Sequence, residues 1–474
     1  MLFQQFKRVF SRTLYKDQMI LMGKMDFAKD FITDTRGDLY PVISASEDLC
    51  EEIREHSWRI SAGETERMFC RFFPYITCEM TAEIAGDSAA GFVFHIREKE
   101  FRVSKTSSAI IFSAPGADDQ TLPLPAGKTG QTWLVSCRVG ALDIYLKDNG
   151  KAELAGTFRC SDWNDIRSYE VFSGSYVSVF GKNSVVIRHV SGGVDNGIST
   201  ADIRPIRYED GTPIMENGRI FFTVTIRVEE EGYQGIYSWV PGTADFVFTG
   251  ALFYDAGDGM WGNDVAASIL YHREEKKWLL WVCSFCHDHI LGHSSFEGDP
   301  RYGVNVIDIT LMKPMTSAVS TTDFAGKSGD EDPDFVYDPI RKKWLMAICR
   351  LAPETNEYCY YFYESESPFA GYRFLRRNAD GAETGGSFVM INGERCFICG
   401  NSFTKRSDYR IYRESGMETP TFDFADGGFR GWGTLVPVKQ GSRTRYYWVT
   451  FDRHNGSGYH WSYGNLYCFE ADLA

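Results

Sequence analysis

Five times in the second half of the chain a polar turn runs straight into an aromatic-rich strand: "ENGRIFFTVTIR" from residue 216, "EEKKWLLWVCSF" from 274, "IRKKWLMAICRL" from 340, "INGERCFICGNS" from 391 and "QGSRTRYYWVTFD" from 440. With Phe221, Trp278, Trp344, Cys396 and Tyr446 as equivalent positions, the intervals are 57, 66, 52 and 50 residues. A repeat of that length holds several strands and cannot bury its faces alone. Stacking such units around a central channel gives a β-propeller. Five phrases predict five blades.

The first part of the chain has a different texture. From about Phe72 to Val190, short alternating segments such as "AAGFVFHI", "SAIIFSA" and "TWLVSCRVG" are separated by turns such as "DNG" and "GKN". Turn signals every 8–12 residues without helical periodicity predict an antiparallel β-sandwich. "GALDIYL" followed by a turn and "TF" resembles the concanavalin-like and laminin-G-like jelly rolls. "EDLCEEIREHSWRI" reads as a short helix or loop, and "SGGVDNGIST", residues 191–200, as the linker. The expected fold is therefore all-β, with an N-terminal β-sandwich (jelly roll) over 1–195 and a C-terminal five-bladed β-propeller over 196–474. A composition of 43% hydrophobic and 15% aromatic residues with 45 glycines suits strands and tight turns.

A formal charge of −14 and the absence of any basic run argue against nucleic acid as a partner. No apolar stretch resembles a secretory signal or reaches the roughly 18 residues of a membrane span, so the expected location is cytoplasmic, without a membrane partner. Twelve cysteines in such a chain are expected to be reduced. Cys283 and Cys286, and Cys396 and Cys399, sit three apart in apparent strands, which sends each pair to opposite faces and favours core packing over zinc. The oligomeric state is not set by the sequence.

Ahead of each aromatic phrase lies a partner strand. Four carry an acid: Asp202 in "STADIRP", Asp264 in "WGND", Asp332 in "EDPDFVYD" and Glu383 in "AETGGSF", at 19, 14, 12 and 13 residues before the marker position. The fifth has Gly433. Strands lining a common channel would bring these four carboxylates to one level at one end. The neighbouring acids Asp330, Glu331, Asp334 and Asp338 read as solvated or turn-forming. Arg204 and Arg350 flank acidic positions and are expected to pair with carboxylates or with an acid group of a substrate. "CHDHILGH" gathers His287, His289 and His293. His289 is a candidate substrate-binding residue, and Trp261 a candidate for stacking on a sugar ring, beside the plainer readings of loop hydrogen bonding and inter-blade packing.

Over residues 198 to 474 these phrases resemble the five-bladed propeller glycosidases, chiefly glycoside hydrolase family 43, with family 32 as a cousin. Such enzymes carry an Asp early in blade one, a second Asp in a D-P-x-x-F phrase in blade three and a Glu opening blade four. The matching positions are Asp202, Asp332 and Glu383, although Asp202 is followed by Ile-Arg-Pro and Glu383 by Thr. The resemblance implies Glu383 as general acid, Asp202 as base or nucleophile and Asp332 as pKa modulator, with Asp264, Trp261, His289 and Arg204 as substrate-binding candidates. Family precedent leans towards inversion. The implied substrate is a short oligosaccharide attacked from its end, with an arabinofuranoside or fructofuranoside first and a xyloside next. No metal site and no required cofactor are implied, although a channel of this kind can hold a structural cation. The alternatives are a propeller glycoside phosphorylase and a non-catalytic carbohydrate-binding or scaffold protein.

Overall fold

Each of the five aromatic phrases is entered through a left-handed turn. Asn217 and Gly218 (φ 50° and 76°) and Asn392 and Gly393 (φ 50° and 81°) supply the paired positive-φ positions of tight hairpins, and Lys276, Lys342 and Gly441 are left-handed at the other three. The structure, a computed structural model, describes every residue except 1, 14–15, 26–30, 35–38, 42–49, 54–56, 61–62, 125–130, 161–164, 229–230, 288, 313–329, 353, 356, 379–380, 402–408, 424–432 and 452–464. Strand accounts for 68% of it. Helix among the described residues is confined to Tyr169–Phe172 and the 3-10 turn Phe285–His287.

The chain divides into two compact units, the first comprising Met1–Tyr15, Asn196–Asp258 and Gly262–Ala474. Among its described residues are five sheets, led in chain order by Ser199–Pro205, Val265–His272, Glu331–Asp338, Glu383–Ile391 and Thr434–Gln440. Each leading strand pairs antiparallel with the aromatic strand that follows it: Arg219–Val228, Lys277–Ser284, Lys343–Ala352, Glu394–Asn401 and Arg443–Phe451. The repeats read in the sequence are thus repeated sheets.

Successive sheets pack face to face through apolar clusters. Phe221, Ile236 and Leu252 meet Ile269, Trp278 and Leu280 between the first and second, and Leu279 and Trp281 meet Phe335, Met346 and Tyr361 between the second and third. Tyr360 and Phe362 meet Phe388 and Phe397 between the third and fourth, and Ile398 and Ile411 meet Leu435 and Trp448 between the fourth and fifth. The succession closes on itself, because Tyr447 of the fifth sheet meets Trp239 of the first edge-on at 5.4 Å and Arg12 Nη1 donates to the Phe246 carbonyl at 2.9 Å.

Arg12 belongs to Lys7–Thr13, which pairs with Asn465–Ala471 as the outermost strand of the fifth sheet. The expected boundary is corrected accordingly: the first fifteen residues join the unit that begins again at Asn196, and the second unit is Lys16–Asp195 with Gly259–Trp261. Phe3 and Phe6 seat the N-terminal segment, Phe6 stacking on Phe422 at 5.1 Å and meeting Trp448 edge-on at 5.6 Å.

The second unit contains two antiparallel sheets. One runs, in spatial order, Gln120–Pro123, Ala109–Ser113, Lys99–Lys105, Ala89–Ile96, Tyr176–Lys182 and Glu64–Arg71, and the other includes Lys151–Arg159, Ala141–Asp148, Thr132–Arg138, Thr77–Ile84, Val185–Asp195 and Met19–Met25. Their aromatic side chains meet between them, Phe92 with Trp133 at 5.4 Å and Phe112 with Phe158 at 5.6 Å. The expected short helix or loop around "EDLCEEIREHSWRI" is instead the strand pair Cys50–Ile53 and Ser57–Ile60. The expected linker over 191–200 is also mostly strand. Its glycines answer to packing, since a Cβ on Gly193 would stand 2.0 Å from the Ile20 carbonyl oxygen and one on Gly192 2.8 Å from the Phe69 ring.

Phe6 is fully buried, against the rings of Phe3, Phe422 and Trp448. Phe6→Ala is expected to destabilise the first unit by about 3–5 kcal/mol. Urea unfolding followed by tryptophan fluorescence measures this, and an unchanged midpoint would contradict the assignment of the N-terminal segment to that unit.

Candidate active site

The first four leading strands share one irregularity. Each carries an extra residue against its neighbour, between Ala201 and Arg204, Val265 and Ser268, Glu331 and Asp334, and Thr384 and Ser387. At the bulge the backbone turns left-handed in all four, at Asp202 (φ 51°), Ala266 (58°), Asp332 (47°) and Gly385 (60°). A bulge re-aims the strand's side chains, and Asp tolerates the left-handed region better than most residues.

This register corrects the expected single level of four acids. Asp202 and Asp332 occupy the bulge itself, whereas Asp264 and Glu383 stand two residues earlier, at the level of Thr200 and Asp330. The counts back from the markers already separate Asp264 from Asp332, whereas the shorter turn between Ile391 and Glu394 conceals the same offset at Glu383.

Hydrogen bonds tie the leading strands together at these levels. Arg204 Nη1 donates to the Ala266 carbonyl at 2.7 Å, while the Thr384 hydroxyl at 2.9 Å and the Gly385 N–H at 3.1 Å both donate to Asp332 Oδ2. Arg204 Nη2 stands 3.8 Å from Asp332 Oδ1. Asp202 Oδ2 accepts from the Thr225 hydroxyl at 2.7 Å. Burial first, and the charge of Asp332 second, push the Asp202 carboxyl up to about 6, against the opposing pull of Arg227, Thr225 and Arg204. Asp202 and Asp332, 130 positions apart in the chain, therefore form an electrostatic pair. They keep 5% and 6% exposure, while Asp264 and Glu383 are at 0%, so the pair is the part of the acid group that meets solvent.

Glu383 is enclosed by donors. The Tyr360 N–H reaches Oε2 at 3.0 Å, the Asn378 amide reaches both oxygens at 3.1 Å, Arg410 Nη1 reaches Oε1 at 3.4 Å and the Tyr412 hydroxyl donates to the same oxygen. Burial outweighs these donors and holds its carboxyl above the usual range. The Tyr360 hydroxyl in turn accepts the Gly386 N–H, a close approach that only glycine allows, because a Cβ there would lie 2.5 Å from the Tyr360 ring. Asp264 is also pushed up by burial. Its Oδ1 accepts the Cys286 N–H at 3.1 Å, while the buried Oδ2 meets no hydrogen-bond donor among the described residues.

The acids expected to be solvated divide. Asp338 forms a turn, accepting the Ile340 and Arg341 N–H groups at 3.0 and 3.1 Å. Asp330 and Asp334 are buried instead, because each has a guanidinium to receive it. Asp330 is held by Arg350 through Nε and, at 2.6 Å, through Nη2. Asp334 pairs with Arg207, accepts the Ser268 hydroxyl at 2.7 Å and takes the Phe388 N–H at 2.7 Å. Glu331 is half-buried between His289 Nδ1 at 3.0 Å and the Tyr358 hydroxyl at 3.3 Å.

Trp261 is placed elsewhere. It packs within the second unit, 4.2 Å from Phe172 and 5.3 Å from Phe73, and its N–H donates to the Arg167 carbonyl at 2.8 Å. Trp261 is half-buried by these contacts. His287 bonds Ser284 and Asp258, and His293 stacks on Phe369 at 4.6 Å, so the three histidines do not converge. Among the described residues no group of three or more His, Cys, Asp or Glu side chains is arranged to hold a metal ion. Cys283, Cys396 and Cys399 are buried, and Cys286 lies just past the strand end.

The residues missed in the sequence are the donors around Glu383: Tyr360, Asn378, Arg410 and Tyr412. Arg410 and Tyr412 alternate along one strand, which puts both on one face, the only signal they offered.

No family model matches the sequence, and no curated protein matches it. Among solved structures, a thermostable family-43 glycoside hydrolase aligns over 58% of this chain and 90% of its own at 11% identity, with a TM-score of 0.36. The α-L-arabinofuranosidase from Podospora anserina, solved in complex with cellotriose, aligns over 58% of this chain and 92% of its own at 11% identity and a TM-score of 0.39. Bacillus subtilis levansucrase aligns over 59% and 86% at 9% identity and a TM-score of 0.43. Among the described residues no helix is long and apolar enough to cross a membrane.

Folding carries Asp202 from an ordinary carboxyl near 4 to about 6, so the folded chain binds the extra proton between those values. Stability from this group is therefore lost as the pH rises from about 4 through about 6. Asp202→Asn removes the carboxylate and keeps a residue that accepts the left-handed backbone. Its stability relative to the unaltered chain is expected to rise across that window by on the order of 2 kcal/mol. Urea midpoints at about pH 4 and pH 7 provide the measurement, and parallel curves for the two chains would contradict the coupled pair.

Proposed function

We propose that the first unit is a five-bladed β-propeller carrying a glycosidase site, and that the second is a β-sandwich of the jelly-roll class. The observation that carries this reading is the coupled pair of bulge aspartates, Asp202 and Asp332, with Glu383 on the next strand joined to Asp332 through Thr384 and Gly385. Hydrolysis of a glycosidic bond needs a carboxylate to take a proton from water and a protonated carboxyl to give one to the leaving oxygen.

In this scheme Asp202 is the base. With its carboxyl at about 6 it is mostly ionised at neutral pH yet basic enough to accept the water proton as the oxygen attacks the anomeric carbon. Glu383, raised by burial, delivers its proton to the leaving oxygen as the C–O bond breaks. Asp332, fixed by the Thr384 hydroxyl and Gly385 N–H, raises Asp202 and faces the positive charge that grows on the sugar ring. Arg204 steadies Asp332. The substrate is a short oligosaccharide, with a furanoside or xyloside at the cleaved end.

One observation favours a second reading. The Glu383 carboxylate is already saturated by Tyr360, Asn378, Arg410 and Tyr412, as a purely structural acid would be, and on that ground the propeller is a sugar-binding protein without turnover.

Assay of p-nitrophenyl furanosides and pyranosides separates the two. The unaltered chain is expected to hydrolyse at least one, and Glu383→Gln, Asp202→Asn and Asp332→Asn each to lose about 10³-fold or more in kcat. Because the base must be ionised, kcat/KM is expected to fall as the pH drops below about 6. Turnover unaffected by Glu383→Gln removes the acid from that residue, and binding without turnover establishes the second reading.

A further inference from the structure

The turn Phe285–His287 and the residue His289 stand at the entry of the second and third leading strands. The Cys286 N–H bonds Asp264 Oδ1 at 3.1 Å, the His289 carbonyl accepts the Asp330 N–H at 2.9 Å and the His289 N–H donates to the Ser284 carbonyl at 3.0 Å. This segment is therefore anchored by its backbone to the same strands that carry the acids. Two of its side chains are left to face outward.

Phe285 is 44% exposed, an unusual setting for a phenyl ring anchored so close to a polar cluster. Its ring meets the His289 imidazole edge-on at 4.3 Å. His289 is a non-glycine residue in the left-handed region (φ 59°), held there while its Nδ1 meets Glu331 Oε1 at 3.0 Å. The Tyr358 hydroxyl fixes the same carboxylate oxygen at 3.3 Å. With Nδ1–H donating to Glu331, the neutral imidazole presents Nε2 as an acceptor. Nε2 makes no hydrogen bond among the described residues, and the imidazole is one-third exposed.

An exposed aromatic face beside an oriented polar edge is what a sugar ring requires, since its C–H face is apolar and its rim carries hydroxyls. We propose that Phe285 and His289 form a subsite for a second sugar ring, with the phenyl stacking on the apolar face and His289 Nε2 accepting a hydroxyl proton. Glu331 and Tyr358 are its positioning residues. The inference rests on the glycosidase reading for the sugar at the acid pair, and it makes the natural ligand an oligosaccharide of at least two rings.

The test is calorimetric titration of the full chain with arabinotriose and xylotriose, and with arabinose and xylose, for the unaltered protein and for Phe285→Ala, Phe285→Tyr and His289→Gln. The unaltered chain is expected to prefer one trisaccharide over its monosaccharide. Phe285→Ala is expected to weaken that trisaccharide about tenfold while changing the monosaccharide by less than about twofold. Phe285→Tyr is expected to restore the preference, and His289→Gln to lose about fivefold on the trisaccharide. Phe285 is exposed, so its replacement leaves the fold intact. Trisaccharide binding undiminished in Phe285→Ala and His289→Gln overturns the subsite and leaves the acid pair standing. Failure of the unaltered chain to bind any of the four sugars overturns the subsite together with the glycosidase reading.

Discussion

The first unit depends on one buried charge. Asp334 sits in the leading strand of the third sheet, takes Arg207 from the short strand paired to the second, accepts the Ser268 hydroxyl of the second and receives the Phe388 N–H of the fourth. Arg207 also donates to the Phe388 carbonyl at 2.7 Å. A buried carboxylate is costly unless its lone pairs are filled, and removing one partner from such a pair typically costs several kcal/mol. Three sheets are therefore held at one spacing by a group that tolerates little displacement of any of them. The neighbouring bulges inherit that spacing, and with it the distance between Asp202 and Asp332.

The bulges use this rigidity to aim side chains. In a regular strand the side chain of residue 202 or 332 would follow the strict alternation set by burial. A left-handed residue breaks the alternation and lets an acid approach the acid of another sheet. Left-handed backbone at a non-glycine residue costs of order 1–2 kcal/mol and persists only where its surroundings determine it. Two of the four bulge positions carry Asp, one Ala and one Gly, so the same backbone device is repeated while its side chain is not. The repeat supplies geometry, and the variation decides which bulges carry a carboxyl.

Much of this was legible in the sequence. Turn residues and aromatic alternation located two strands in each of the five sheets, since both signals are local. Long-range pairing was not legible. Lys7–Thr13 has nothing in its own composition to direct it to a partner more than four hundred residues away. Gly192 and Gly193 carry the signature of a linker, yet what demands glycine there is the nearness of Ile20 and Phe69, visible only after folding. The acids Asp202, Asp332 and Glu383 were found by type and spacing. Their division into two levels was not, because a bulge adds a residue without leaving a compositional mark. Tyr360, Asn378, Arg410 and Tyr412 were missed for a related reason: a donor becomes recognisable only through the acceptor it meets.

The stretch from Asp330 to Asp334 shows how one run of acids acquires different roles. Asp330 has Arg350 in a two-pronged grip and Asp334 has Arg207, so both can be ionised and buried at once. Glu331 is steadied by an imidazole and a phenol. Asp332 alone has its nearest guanidinium at 3.8 Å, beyond hydrogen-bond contact, and so keeps part of its field unquenched. That residual field reaches Asp202 and, second to burial, raises its proton affinity. Had Arg204 closed on Asp332 as Arg350 closes on Asp330, the charge would be spent locally and burial alone would be left to raise Asp202. Along this run, the carboxyl whose ion pairing the fold leaves incomplete is the one that acts on the acid of another sheet.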